Sequence, residues 1–274
     1  MKDIETYRKA GQDLYHMLHL PTYPIAIKYI KDLAEIPDKV RRPSDRGQLW
    51  SLCQAFTYAR RWGWNVAMTS EDNFCVPSTV VHRWEKVPTE LLIESQRRQG
   101  WRKSYDADPQ DPSSQDLFSE DFFKKVADHI GFICSPLTET VVIPDSILVY
   151  GSGADVTHII QSLNYQSQYP VVSTFTGFGE SCQKGGLLPY VTQKPQLVLP
   201  GTGDRTFSGT SEHEIAIGMP ADLVFYTVEN MFKTGGRQNM GQPVKTLLPQ
   251  SITESLTPGF DYLRKAIKEY KKKK

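Results

Sequence analysis

Short apolar, β-branched runs alternate along this chain with stretches of helical periodicity, and that alternation admits few folds. PIAIKYI (24–30), WNVAMT (64–69), FICSPL (132–137), SILVYG (146–151), VVSTFT (171–176), LVLP (197–200) and EIAIGMP (214–220) read as strands. Between them, apolar residues recur at helical spacing over 4–20, 48–62, 119–130, the HIIQSL region and 221–234. A further helix begins at Pro77, and a last one at about 258–270 opens on Thr257-Pro258. The best defined is 48–62. Leu49, Leu52, Cys53 and Phe56 form its stripe, Asp45 is placed to cap it, and Arg60 and Arg61 precede Gly63 at its end. Residues 104–116, SYDADPQDPSSQD, are poor in apolar side chains and read as a surface linker.

A shift of 107 residues lays CQAFTYARRWGWNVAMTSEDNFC (53–75) over IQSLNYQSQYPVVSTFTGFGESC (160–182) without a gap. Gln54/Gln161, Tyr58/Tyr165, Thr69/Thr176 and Cys75/Cys182 coincide, and the stripe of the first helix maps onto Val156, Ile159, Ile160 and Leu163. The expected fold class is therefore α/β, possibly α+β. Two pseudo-repeated strand–helix–strand halves, 1–130 and 131–274, would pack as one compact unit.

The repeat has a chemical consequence. Cys75 and Cys182 would occupy equivalent turns, each after a strand and before a short helix, where helix N–H groups favour a thiolate. If the halves meet about a twofold axis, the two turns could face each other, with Cys53 as a third thiolate. The competing reading is plain: cysteine is among the most buried residue types, and all three could be inert core thiols. Cys134, in FICSPL, reads as a buried strand residue.

Composition narrows the classes. With 32 basic and 31 acidic residues the formal charge is +1, which argues against a dedicated nucleic-acid binder. No run approaches about 20 uncharged apolar residues, so no membrane partner is expected. Lys271–Lys274 read as a solvated basic tail. Four cysteines and an N-terminus without an apolar leader fit a reducing, cytoplasmic setting.

Two glycine turns are candidate anion sites. Gly151-Ser152-Gly153 follows a strand and precedes a helix, but Val156 stands where a dinucleotide fingerprint has its third glycine. Gly201-Thr202-Gly203-Asp204-Arg205 follows LVLP, and Asp204 and Arg205 could fix a ligand or each other. Glu180 and Asn73 immediately flank the cysteine turns and are candidates to move a proton or orient a ligand. His16 and His19 fit a helix surface better than a metal, and His82 reads as a surface histidine.

The pieces PIAIKYI, LCQAFTYARRWGW, MTSEDNFCVPS, ILVYGSGADVTHIIQSLNY, GESCQKG and LVLPGTGDRTFSGTSEHEIAIGMPADL resemble the uncharacterised family catalogued as domain of unknown function 169. The resemblance implies that Cys53, Cys75 and Cys182 are the family's cysteines and leaves Cys134 outside. It also implies prokaryotic, often anaerobic, cytoplasmic proteins, with no settled reaction. The chain departs from the family pattern at Gly153-Ala154-Asp155.

Taken together, these features favour a cysteine-ligated metal or iron–sulfur protein in redox or sulfur chemistry on a small molecule. Cys53, Cys75 and Cys182 would bind a [4Fe-4S] cluster, or zinc instead. Glu180, Asp204 and Arg205 would line the pocket. The alternatives are a non-catalytic module holding an anionic nucleotide or acyl-CoA-like ligand on Gly151, Gly153, Gly201 and Gly203, or an accessory subunit of an anaerobic enzyme complex.

Overall fold

Six strands form one sheet: β1 (Ile25–Ile30), β2 (Val66–Thr69), β3 (Gly131–Pro136), β4 (Ser146–Gly151), β5 (Gln196–Val198) and β6 (Ile215–Pro220). Their order is β2-β3-β1-β4-β6-β5, and every pairing is antiparallel. The chain is thus a mixed α/β fold built on an antiparallel sheet. In this computed structural model the described residues are 2–85, 89–100, 120–165, 170–175, 177, 179–234 and 258–272; the expected linker at 104–116 lies outside them. Among the described residues no helix is long and apolar enough to cross a membrane.

The strands are apolar on both sides because both faces are covered. On one face Ile27, Met68, Phe132, Leu148, Tyr150 and Ala216 meet α2 (Leu52–Trp62), α3 (Val76–Val81), α5 (Glu120–Val126), a π-helix (Glu180–Leu187) and α7 (Leu188–Thr192). α4 (Thr89–Arg98) lies between α3 and α5 in the chain. On the other face Ala26, Ile147, Val149, Ile217 and Met219 pack against α1 (Ile4–Leu18), α6 (Gly153–Asn164) and α9 (Leu223–Met231). The partition follows the period of two along each strand. Short α8 (Thr202–Phe207) packs on α2, and α10 (Pro258–Lys272) is the last described helix.

Several expectations are revised here. Residues 171–175, the described part of VVSTFT, form no strand: Leu197 N donates to Ser173 Oγ (2.6 Å) and Lys184 Nζ to the Thr174 carbonyl, so side-chain contacts stand where ladder bonds would run. α2 and α6 lie on opposite faces of the sheet. A twofold axis relating the antiparallel neighbours β1 and β4 would run perpendicular to the sheet and keep them on the same face. The 107-residue shift therefore does not superpose equivalent places. β3, which opens the expected second half, is inserted between β2 and β1. Asp45 does not cap α2; Ser51 does, in a capping box with Gln54, and Leu49 stands exposed before the helix.

One contact fixes how the π-helix sits. Gly185 and Gly218 of β6 meet backbone to backbone, and a Cβ on Gly218 would run into the Gly185 carbonyl. A glycine inside a strand often marks such an approach. Gly218→Ala is expected to cost about 3 kcal/mol in urea unfolding, since neither backbone can yield without moving the sheet. A loss below about 0.5 kcal/mol, the scale of a surface substitution, would contradict the packing.

Candidate functional site

The three candidate cysteines come from three separate elements. Cys53 lies in the first turn of α2. Ser51 Oγ accepts from Gln54 N (3.3 Å), Gln54 Oε1 accepts from Ser51 N (2.8 Å), and Ser51 Oγ stands 3.0 Å from Cys53 Sγ. From there the thiol donates across to the Gly203 carbonyl in α8 at 3.7 Å. Gln54 is thereby explained as a capping residue. Gln161, its repeat counterpart, is an exposed residue inside α6.

Cys75 is the N-cap residue of α3 and is half-buried. Asn73 sets its backbone: Oδ1 accepts from Cys75 N (3.0 Å), and Nδ2 donates to the Cys75 carbonyl (2.9 Å) and to Ser78 Oγ (2.8 Å). Asn73 therefore positions the cysteine turn. The same turn is tied to the lead-in of α2, because Trp50 N donates to the Asp72 carbonyl and Phe74 N to that of Trp50. Asp72, in the Ser70-Glu71-Asp72-Asn73 turn, is fully buried. Burial alone would raise its carboxyl, but hydrogen bonds from Ser44, Thr69 and Arg42 hold it below the ordinary carboxylate range.

Cys182 sits in the first turn of the π-helix, not in a strand-to-helix turn. Two residues on, buried Lys184 pairs with buried Glu180 at 3.4 Å, and Glu180 Oε1 accepts from Gly177 N at 3.0 Å. These bonds fasten the preceding segment to the π-helix. Glu180 is thus a structural partner of Lys184 and of the backbone at Gly177. π-helical turns of this kind frequently accompany functional sites.

Asp204 completes the cluster. Its Oδ2 accepts from Gly201 N (3.1 Å), while the buried Oδ1 has no hydrogen-bond partner. The Ser181 hydroxyl lies near Asp204 and Tyr150 but meets neither at bonding geometry. Burial raises the Asp204 carboxyl above its ordinary value, with the Gly201 bond and the Arg60 charge opposing.

Electrostatics shows how these groups lie together. Burial pushes the Cys182 thiol well up, and the next contributions come from Cys75, Cys53 and Asp204. Burial likewise takes Cys53 up to about 12, followed by Asp204, with Cys75 adding less. Cys182 and Cys53 therefore each lie within the field of Cys75 and Asp204, though the elements that carry these groups are far apart in sequence. The expected lowering of thiol pKa at a helix N-terminus is overturned for Cys182, and the Cys53 thiol is raised too, because desolvation outweighs the dipole. Among the described residues no group of three or more His, Cys, Asp or Glu side chains is disposed to hold a metal ion.

The sign for pH follows directly. A thiol whose folded value lies above its unfolded one contributes stability below the unfolded value and loses it as pH rises toward the folded value. Metal-free protein is expected to lose stability from about pH 8.5 upward, the ordinary thiol value, with the Cys53 contribution gone by about 12. Thermal melts across that range check this; Cys53→Ala should flatten the slope, and an unchanged slope would contradict it.

The other candidates have structural partners of their own. Gly151 and Gly153 flank Ser152, the N-cap of α6, whose N–H and hydroxyl both donate to Asp155 Oδ2 at 2.7 Å. Gly201 and Gly203 likewise open α8, capped by Asp204. In both turns the chain's own carboxylate takes bonds that an anionic ligand would need. Arg205 is exposed and donates to the Ser211 carbonyl (2.7 Å), away from Asp204's buried side. His82 is buried, not superficial, and lies against Tyr29, Trp84 and Phe132. Burial depresses it to about 4. His16 and His19 serve the end of α1, His19 as its left-handed C-cap.

Sequence reasoning missed Arg60. Its guanidinium is fully buried, held by Glu214 through Nη1–Oε1 (2.5 Å) and Nη2–Oε2 (3.2 Å), and lies 4.1 Å from the centre of the Tyr150 ring. A helix-end arginine carries no sequence mark of such burial.

Comparison with known proteins gives the chain's relatives. The uncharacterized protein MJ0308 of Methanocaldococcus jannaschii is similar, with 21% identity over 237 residues, covering 83% of this chain and 94% of that protein. No solved structure matches. The model of the DUF169 family, described as an uncharacterised ArCR, matches residues 13–230, and the chain belongs to that family.

Proposed function

We propose that this protein is a cysteine-ligated iron–sulfur protein acting in redox or sulfur chemistry on a small molecule. The observation that supports the reading is that Cys182 feels Cys75, Cys53 and buried Asp204, and Cys53 feels Asp204 and Cys75, like charges when ionised. Such a set is unfavourable as thiolates without a cation. A bound metal reverses that balance, because ligation deprotonates the thiols and pairs their charge.

Iron–sulfur ranks over zinc here because no histidine lies close in sequence to any of the three cysteines. A tetrahedral zinc with Zn–S near 2.3 Å draws its sulfurs to within about 4 Å of each other. A four-iron cluster takes each thiolate on a different iron, so three cysteines bind at wider separation and leave one iron for another ligand. When bound, the cluster supplies electron transfer or a Lewis-acidic iron. The chain's own part is to hold the sulfurs: the Ser51–Gln54 box orients Cys53, Asn73 the Cys75 turn, and the Gly185–Gly218 contact the π-helix.

Purification without oxygen, with iron, zinc and acid-labile sulfide measured per chain, tests this. Iron and sulfide in near-equal amount, with visible absorption, are expected. A colourless protein with intact thiols and no bound metal after reconstitution would refute it.

A further inference from the structure

α10 is amphipathic, yet among the described side chains none of its residues belongs to the three apolar cores. Leu263 and Ile267 stand one turn apart on its apolar side, 56% and 46% exposed, beside Tyr262 at 74%. Arg264, Lys268, Lys271 and Lys272 follow at i, i+4, i+7 and i+8 around the other side. Over 258–272 there are five cationic and two anionic side chains, and Lys273 and Lys274 come next in the sequence.

We propose that α10 docks this protein on an anionic lipid surface, lying in the interface with Leu263 and Ile267 among the acyl chains. Charge selects the occupant. A second copy would bring two basic helices together, whereas an anionic bilayer satisfies the basic side and the apolar side at once. Tyr262, with an apolar ring and a polar tip, suits the headgroup level. This departs from the expectation of no membrane partner, which rested on the lack of a spanning segment. An interfacial helix needs none.

The test uses the full chain and co-sedimentation with vesicles of phosphatidylcholine carrying about 30% phosphatidylglycerol. Expected is binding that weakens at least tenfold on pure phosphatidylcholine, and at least tenfold in the L263E/I267E variant. Raising salt to about 0.5 M should also weaken it, because screening shortens the reach of the charges. The variant should keep the wild-type melting temperature, since both side chains are exposed. Equal binding of variant and wild type overturns the proposal. So does self-association in ultracentrifugation that the variant abolishes while neither protein binds vesicles, and so does binding to a short RNA without binding to vesicles.

Discussion

Cys182→Ser is expected to leave a folded protein that retains no more than about a tenth of the wild-type iron after oxygen-free reconstitution, because a closed set of thiolate ligands fails as a unit. The side chain is half-buried in the first turn of a π-helix whose position is set by Gly185 against β6. Losing one sulfur therefore removes a ligand without loosening the frame that holds it. Cys53→Ser and Cys75→Ser should behave alike. Cys134→Ser should retain full iron, because its thiol is sealed in the β3 core and takes no part in the field of the other three. Iron content per chain, alongside melting temperature, reads the result. Undiminished iron in the Cys182 variant would dismiss the shared site.

The second large effect concerns stability. Arg60→Met is expected to cost about 3–5 kcal/mol, because removing one partner strands a buried charge. Glu214 keeps only the 3.3 Å contact from Arg61 and its bond from Ser211 N (2.7 Å). Tyr150 also loses the cation over its ring, and that ring flanks Asp204 and Cys53. Given a typical total of about 5–15 kcal/mol, such a loss would move the urea midpoint far down. Arg60→Met with Glu214→Leu should recover part of it, since the double change leaves no orphaned charge. A single variant losing less than about 1 kcal/mol would show that the pair contributes little. At low pH the wild type should weaken as Glu214 and Asp72, both held below their ordinary values, take up protons.

These two sites also mark where the sequence was legible. β1, β4 and β6 are continuous apolar runs buried on both faces, and α2 carries its stripe and its C-terminal Gly63 in plain view. The three cysteines stood out by residue type, and the resemblance to the family selected them. Their meeting arises from tertiary placement: Cys53 reaches α8 and Cys182 rides a π-helix, neither of which follows from a local pattern. VVSTFT has the composition of a strand, but Ser173 meets β5 through its hydroxyl instead of a ladder. His82 reads as a surface residue, and nothing local marks Arg60 or Asp72 as buried, because burial of a polar side chain depends on partners distant in the chain, as with Arg60 and Glu214. The capping roles of Asp155 and Asp204 were visible as acids three residues into helices, a signal that glycine-rich turns obscured.

X-ray absorption at the iron edge, on protein prepared without oxygen, tests the central claim most directly. The account predicts iron surrounded by sulfur with further iron in the next shell, a signature that disappears when Cys53, Cys75 and Cys182 are replaced together. Iron bound only by oxygen and nitrogen, or the same spectrum from the triple variant, would contradict it.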